Sequence, residues 1–265
     1  MSDPVGDRSV VSSATGFLLD LDGTVYLGDH LLPGAAEFVR ALARHHRKWL
    51  FITNNCSRTP CEYARKLSQL GIPTRASGVF TSGELAGRYL VGQGIHRAFV
   101  LGTPSLRRQL RALGVVHTAD SPQAVLSSFD KTLTYGKLLT AVALVRSGLP
   151  FYSTHPDLVC PTPDGPIPDS GLITQMIEKT TGRSARYLGK PMVEMVEGAA
   201  ARMGLAKEGL VFIGDRLYTD VRMAREAGIG SVLVLSGETN RAMLAESPWQ
   251  PHLVADGLHE LVKLL

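Results

Sequence analysis

Four short apolar runs in this chain stop abruptly at polar side chains, and helix-forming stretches separate them. The runs ahead of Asp20, Thr53, Lys190 and Asp215 have strand length. Strands that alternate with helices imply a parallel sheet, because a parallel neighbour is reached only through a crossover. In such sheets ligands bind beyond the carboxyl ends of the strands, where all four polar groups fall. The expected fold class is therefore α/β, a Rossmann-like parallel sheet core, interrupted by a smaller α/β insertion.

The first run, Gly16 to Tyr26, reads Gly-Phe-Leu-Leu-Asp-Leu-Asp-Gly-Thr-Val-Tyr. Residues two apart on extended backbone point to the same side, so Asp20 and Asp22 can address one small volume. Gly23 removes a side chain where backbone must come close to something, and Thr24 completes the break in the pattern. Taken alone, the stretch reads equally well as a solvated Asp-Gly turn. Three later strand ends, at Thr53-Asn54-Asn55, Lys190-Pro191 and Gly214-Asp215 with Asp220 beyond, weigh against that.

Between the runs, Pro33 begins a helix to about His46, and Thr59, Pro60 and Glu62 form a helix start that ends at Gly71. Residues 84–184 alternate helix and strand signals again, without any strand ending in a comparable acidic or hydroxyl cluster. Its prolines keep Cys160 to Pro168 out of a regular ladder. The expected organisation is a flexible tail at 1–14, a core at 15–83 and 185–265, and an inserted domain at 84–184. A lone glycine pair, Gly92 and Gly94, lacks the third glycine and the leading strand of a dinucleotide fingerprint.

Composition excludes more than it names. A chain that is 44% hydrophobic and 20% charged can bury a large core and is not disordered. The net charge of +4 is spread over scattered basic pairs, so it favours small anions and leaves no nucleic-acid footprint. No apolar stretch approaches membrane-spanning length, and no signal peptide opens the chain. Three cysteines without CxxC spacing read as reduced thiols, and the expected location is cytoplasmic.

Gathering Asp20, Asp22, Asp215 and Asp220 would be opposed by about 4 kcal/mol for each pair at ~4 Å, at an effective dielectric near 20. A divalent cation resolves this, and an all-oxygen set favours Mg²⁺ over Zn²⁺. An aspartate beside Mg²⁺ and a lysine can attack phosphorus, with Asp22 as general acid and base. Thr53, the Asn54 and Gly23 amides and Lys190 can hold the phosphoryl group.

Asp20-Leu-Asp22-Gly-Thr-Val, Thr53-Asn54-Asn55, Lys190-Pro and Gly214-Asp215-Arg-Leu-Tyr-Thr-Asp220 resemble the four ordered motifs of the haloacid dehalogenase superfamily. Within it, the chain is similar to the p-nitrophenyl phosphatase-like branch, which hydrolyses nucleotide and sugar phosphates. The resemblance implies that residues 84–184 are an inserted smaller α/β cap domain and that the substrate is a small phosphorylated metabolite. It implies Asp20 as nucleophile and metal ligand, Asp22 as acid/base whose backbone carbonyl touches Mg²⁺, and Asp215 as a further metal ligand. Thr53, Asn54, Asn55 and Lys190 would bind phosphate, with Asp220, Gly23 and Thr24 in support. Homodimers through the cap are also implied. Where the branch has Thr-Asn-Pro-Asp the chain reads Thr154-His155-Pro156-Asp157, so His155 is either a substrate contact or a structural turn residue. Cys56 stands where serine is usual and reads as a packed thiol. A phosphotransferase or mutase, and a non-catalytic phosphate-binding module, are the competing readings.

Overall fold

The structure is a computed structural model and describes residues 4–265, so residues 1–3 of the expected tail lie outside the described residues. The chain opens with β1 (Val5–Gly6), α1 (Ser9–Ser12) and β2 (Gly16–Leu19), then a small antiparallel pair, β3 (Tyr26–Leu27) and β4 (His30–Leu31). Next come α2 (Ala35–Arg44), β5 (Lys48–Thr53), α3 (Pro60–Gln69), β6 (Val79–Thr81) and α4 (Ser82–Gly92). The middle of the chain forms β7 (Arg97–Leu101), α5 (Pro104–Ala112), β8 (Val116–His117), β9 (Ala124–Ser127), α6 (Tyr135–Arg146) and β10 (Phe151–Ser153). A hairpin of β11 (Val159–Cys160) and β12 (Ile167–Pro168) follows, then α7 (Ser170–Thr181) and β13 (Arg186–Tyr187). The last third supplies α8 (Glu194–Met203), β14 (Leu210–Gly214), a π-helical turn (Leu217–Val221), α9 (Arg222–Ala227), β15 (Gly230–Val234), α10 (Arg241–Glu246), β16 (Leu253–Ala255) and α11 (Leu258–Leu261).

The larger sheet has the order β1-β16-β15-β14-β2-β5-β6, parallel except for β1. The chain steps outward from β2 through β5 to β6 on one side and from β14 through β15 to β16 on the other. The order therefore reverses between β2 and β14, the crevice where α/β sheets bind ligands. Leu19 pairs with Ile213, and the Asp20 N–H donates to the Ile213 carbonyl at 2.9 Å. Asp20 and Asp215 thus leave neighbouring strands side by side.

The two-residue strand period sorts the core onto two faces. Phe17, Leu19, Phe51 and Ile213 pack against α2, α3 and α11, while Leu18, Leu50, Ile52 and Phe212 pack against α8 and α9. Covering both faces explains why these strands read as continuous apolar runs. At α3 the capping expectation holds: Thr59 accepts the Glu62 N–H, and Glu62 accepts the Thr59 N–H.

A second, five-stranded sheet has the order β13-β10-β9-β7-β8, parallel throughout. Arg186–Tyr187, expected at the start of the returning core, are its edge strand. Two of its strands also end in hydroxyl clusters, Ser127-Ser128 and Ser153-Thr154, contrary to expectation, and all four residues are fully buried. The Thr174 hydroxyl bonds Ser127 at 3.0 Å and Ser153 at 2.9 Å, so these groups tie α7 to β9 and β10. The proline-rich segment forms a short ladder after all, Val159 opposite Pro168 and Cys160 opposite Ile167. A two-residue ladder leaves the proline at its end, where the missing N–H is not needed.

The described part of the expected flexible tail is ordered. β1 adds antiparallel to β16, Val11 is fully buried, and Asp7 accepts both the N–H and the hydroxyl of Ser9 at the start of α1. A two-residue strand and a one-turn helix carry no period by which sequence alone could find them.

Candidate active site

The Lys190 ammonium stands 2.5 Å from Asp20 Oδ1 and 2.7 Å from Asp220 Oδ1. Asp20, Asp215 and Asp220 each offer a carboxylate oxygen, and these oxygens lie within 4.8 Å of one another. All four side chains are almost fully buried. Asp215 Oδ2 accepts the Glu238 N–H at 2.7 Å, while its Oδ1 is buried with no hydrogen-bond partner among the described residues. Gly23 makes this packing possible: its φ of +92° is left-handed, and a Cβ there would fall 2.4 Å from Asp215 Oδ2. Asp220 sits on the π-helical turn and accepts the Arg216 N–H.

Lys190 reaches the cluster by a route the sequence pattern missed. It was expected at the end of a core strand, but β13 belongs to the second sheet, and Lys190 lies beyond it in the segment between the sheets. Asn54 holds it there: Asn54 Oδ1 accepts the Lys190 N–H at 2.8 Å, and Asn54 Nδ2 donates to the Lys190 carbonyl at 3.1 Å. The second Nδ2 hydrogen goes to Asp157 Oδ2. The Asn54 side chain is therefore spent on positioning, which leaves its backbone amide for any ligand. Asn55 likewise shapes its own loop, accepting from Ser57 and offering its carbonyl to Tyr63.

Three carboxylates crowd one ammonium. Burial pushes the Asp20 carboxyl well up; Lys190 opposes this, and Asp220 and Asp215 add to it. Asp215 is pushed up to about 7, first by burial and then by Asp220. Burial works against the Lys190 charge, but Asp20 and Asp220 outweigh it and hold the ammonium above its ordinary range. The surplus of negative charge is what a bound cation would relieve.

Beside the cluster lies a narrow cleft lined by Asp20, Asp22, Thr53, Asn55, Lys190 and Arg216, among others. Asp22 is partly exposed, and its Oδ2 has no partner among the described residues. Burial pushes its carboxyl up, opposed first by Lys66 and then by Arg216. Asp22 is not part of the three-carboxylate group, so its side chain is free for proton transfer. Thr53 lines the cleft and accepts the Asn55 N–H, while Thr24 is fully buried outside it.

His155 does not face the cleft. It is fully buried, with Nε2 2.9 Å from Asp169 Oδ1 and Nδ1 2.9 Å from the Thr154 hydroxyl, which corrects the expected substrate contact in favour of the structural alternative. Burial alone would lower its pKa, but Asp169 overrides this and raises it to about 10. Cys56, also fully buried, lies 2.9 Å from the Ser128 hydroxyl and is a packed thiol, as expected.

Arg216 is the functional-site residue that sequence reasoning passed over, although it stands inside the fourth quoted motif. Its guanidinium joins Asp157, in the loop between β10 and β11, at 3.0 Å to Glu238, in the loop between β15 and α10, at 2.8 Å. Removing one partner of a buried ion pair commonly costs about 3–5 kcal/mol. Arg216→Ala is therefore expected to lower stability by about that much in urea unfolding at neutral pH. A loss below about 1 kcal/mol would mean that the clasp is solvated and contributes little.

Residues 17–116 match the haloacid dehalogenase-like hydrolase family, and residues 187–261 match a HAD-hydrolase-like family. The chain is 31% identical to a 5'-nucleotidase from Bacillus subtilis over 93% of its own length and 97% of the relative's. Among solved structures it is similar to a 4-nitrophenylphosphatase from Thermotoga maritima, with a TM-score of 0.92, 41% identity, and 96% and 98% of the two chains covered. It is also similar to a glycerol phosphate phosphatase from Mycobacterium tuberculosis in complex with magnesium, with a TM-score of 0.88, 30% identity, and 96% and 78% coverage. With its fold, its strand-end carboxylates and these likenesses in agreement, the chain belongs to the haloacid dehalogenase-like hydrolases.

Proposed function

We propose that this protein is a Mg²⁺-dependent phosphatase that hydrolyses a small phosphorylated metabolite, a sugar, polyol or nucleotide phosphate, through an aspartyl-phosphate on Asp20. The observation that carries the reading is the buried trio of Asp20, Asp215 and Asp220 around one lysine at the reversal point of the sheet. The donor set fits Mg²⁺: it is all oxygen, and Asp215 Oδ1 is buried without a partner among the described residues. Asp20, Asp215 and the Asp22 backbone carbonyl would hold the ion, which when bound neutralises charge on the phosphoryl oxygens.

Asp20 attacks phosphorus while Lys190, Thr53 and the Asn54 amide hold the phosphoryl oxygens in place. Asp22, partly exposed and with a free carboxylate oxygen, gives a proton to the leaving oxygen. It then takes one from the water that resolves the aspartyl-phosphate. Asp220 keeps Lys190 in position. The inserted sheet serves as the cap, and Arg216 clasps it to the core. Pairing of two copies through the cap is supported by the exposed apolar side chains of Tyr135, Leu139 and Met176 on α6 and α7.

The test is phosphate release from 4-nitrophenyl phosphate and from a panel of sugar, polyol and nucleotide phosphates. Turnover is expected to fall to background with EDTA and to return with added Mg²⁺. Turnover that ignores EDTA would refute the metal-dependent mechanism, and transfer to added sugar acceptors that outpaces phosphate release would favour a phosphotransferase.

A further inference from the structure

A second cavity of about 150 Å³ adjoins the active-site cleft. The two share a wall made of Asp22, Asn55, Cys160 and Pro161. Asp22 therefore stands between the place where phosphate is held and this second space. Under the proposed mechanism Asp22 protonates the leaving oxygen, so whatever is esterified to the phosphate extends past Asp22 into the second cavity.

The walls of that cavity come from both sheets' surroundings. The β11–β12 hairpin forms its roof, and its Pro163 packs so closely on Gly28 that a Cβ at Gly28 would lie 2.6 Å from the proline ring. Its charge is opposite to that of the first cleft. Arg58, Lys66 and Lys131 line it against two carboxylates, Asp22 and Asp29. Asp29 is 87% exposed and sits at 3.5 Å from Lys66, a weak and solvated pairing. Lys66 itself is held 3.8 Å above the Tyr26 ring, which fixes its ammonium toward the cavity wall. Neither Arg58 nor Lys131 is paired with a carboxylate among the described residues; Lys131 lies 5.6 Å from the Phe129 ring. Arg58 and Lys131 are exposed, and with Lys66 they outnumber the two carboxylates of the cavity, a lining that suits an anionic occupant.

Building on the phosphatase reading, we infer that the group esterified to phosphate carries a second negative charge, a carboxylate or another phosphate, which Arg58, Lys66 and Lys131 receive beside Asp22. The phosphoryl group that reacts is held by Lys190 and its neighbours, so the two anionic ends of the substrate bind in separate cavities of separate composition. Arg58 and Lys131 then set specificity and take no part in bond breaking.

Calorimetric titration with phosphonates tests the pocket without needing turnover. A series of carboxyalkylphosphonates of two to four carbons is compared, in Mg²⁺, with alkylphosphonates of the same length. At least one carboxylate of the series is expected to bind about tenfold or more tightly than its uncharged counterpart. The double variant Arg58→Gln/Lys131→Gln is expected to lose most of that preference, weakening the carboxylate far more than the alkyl compound. Equal binding of the two series, a preference that survives in the double variant, or no binding of either series would overturn the inference. The phosphatase reading fails separately: a protein that shows the carboxylate preference but releases no phosphate from any ester keeps this pocket and loses that chemistry.

Discussion

Asp20→Asn is expected to lower phosphate release by roughly four orders of magnitude or more, because a carboxamide cannot form the covalent intermediate. The substitution keeps the side chain's shape, and Lys190 retains its contact with Asp220 at 2.7 Å. It also removes one of three buried carboxylates whose mutual repulsion, added to burial, pushes Asp20 up. Thermal unfolding measured in EDTA should therefore show a stability equal to or above that of the parent. The two readouts together separate loss of the nucleophile from loss of the fold. Mg²⁺-dependent turnover surviving in this variant at more than about a hundredth of the parent rate would put the nucleophile elsewhere.

The sheet and its active-site crevice were legible because their signals are local. A buried parallel strand writes itself as an apolar run, and β2, β5 and β14 each stop at the polar residue that faces the crevice. Asp20, Thr53 and Asp215 could thus be read from run length and the residue that ends it. Lys190 was expected beside Asp20 for the wrong reason. Its strand belongs to the other sheet, and what brings it to Asp20 is a pair of hydrogen bonds from Asn54, 136 residues away in sequence. No periodicity encodes such a contact.

Arg216 and His155 show the same limit from opposite sides. Arg216 drew no reading of its own inside the fourth motif, because both of its carboxylate partners come from distant segments. His155 could be read from sequence as either a substrate contact or a structural turn residue, and only Asp169, on the far side of the hairpin, decides between them. The hydroxyls ending β9 and β10 were discounted at sequence level, and only the placement of Thr174 between Ser127 and Ser153 turns them into a buried network. The opposite charges of the two cavities are also invisible in a net charge of +4, since each depends on which side chains the fold turns inward.

Lys190→Met should be strongly destabilising, and its effect should depend on pH in a direction fixed by the carboxylates it leaves behind. The parent lysine is 3% exposed and neutralises part of the charge on Asp20 and Asp220. Breaking such a buried pair costs about 3–5 kcal/mol at neutral pH. In the folded protein Asp20 already holds its proton above the value of 3.8 expected when unfolded, with burial as the main cause and Lys190 as the main opposing influence. A carboxyl raised in the folded state makes stability fall as pH rises from the unfolded value through the folded one. Taking away Lys190 removes the opposing influence, raises the folded value further and extends that fall. In EDTA, the difference in urea unfolding free energy between parent and variant should therefore be smallest near pH 4 and grow toward about pH 7. Added Mg²⁺ should recover part of the deficit, because a cation that binds only the folded form stabilises it by mass action. Phosphate release should drop by about 100-fold or more, since the substitution removes a fixed positive charge from the reacting phosphoryl group. A stability difference that stays flat across this range would mean that the Lys190 ammonium is not what opposes the effect of burial on Asp20, and the electrostatic account of the crevice would fail with it.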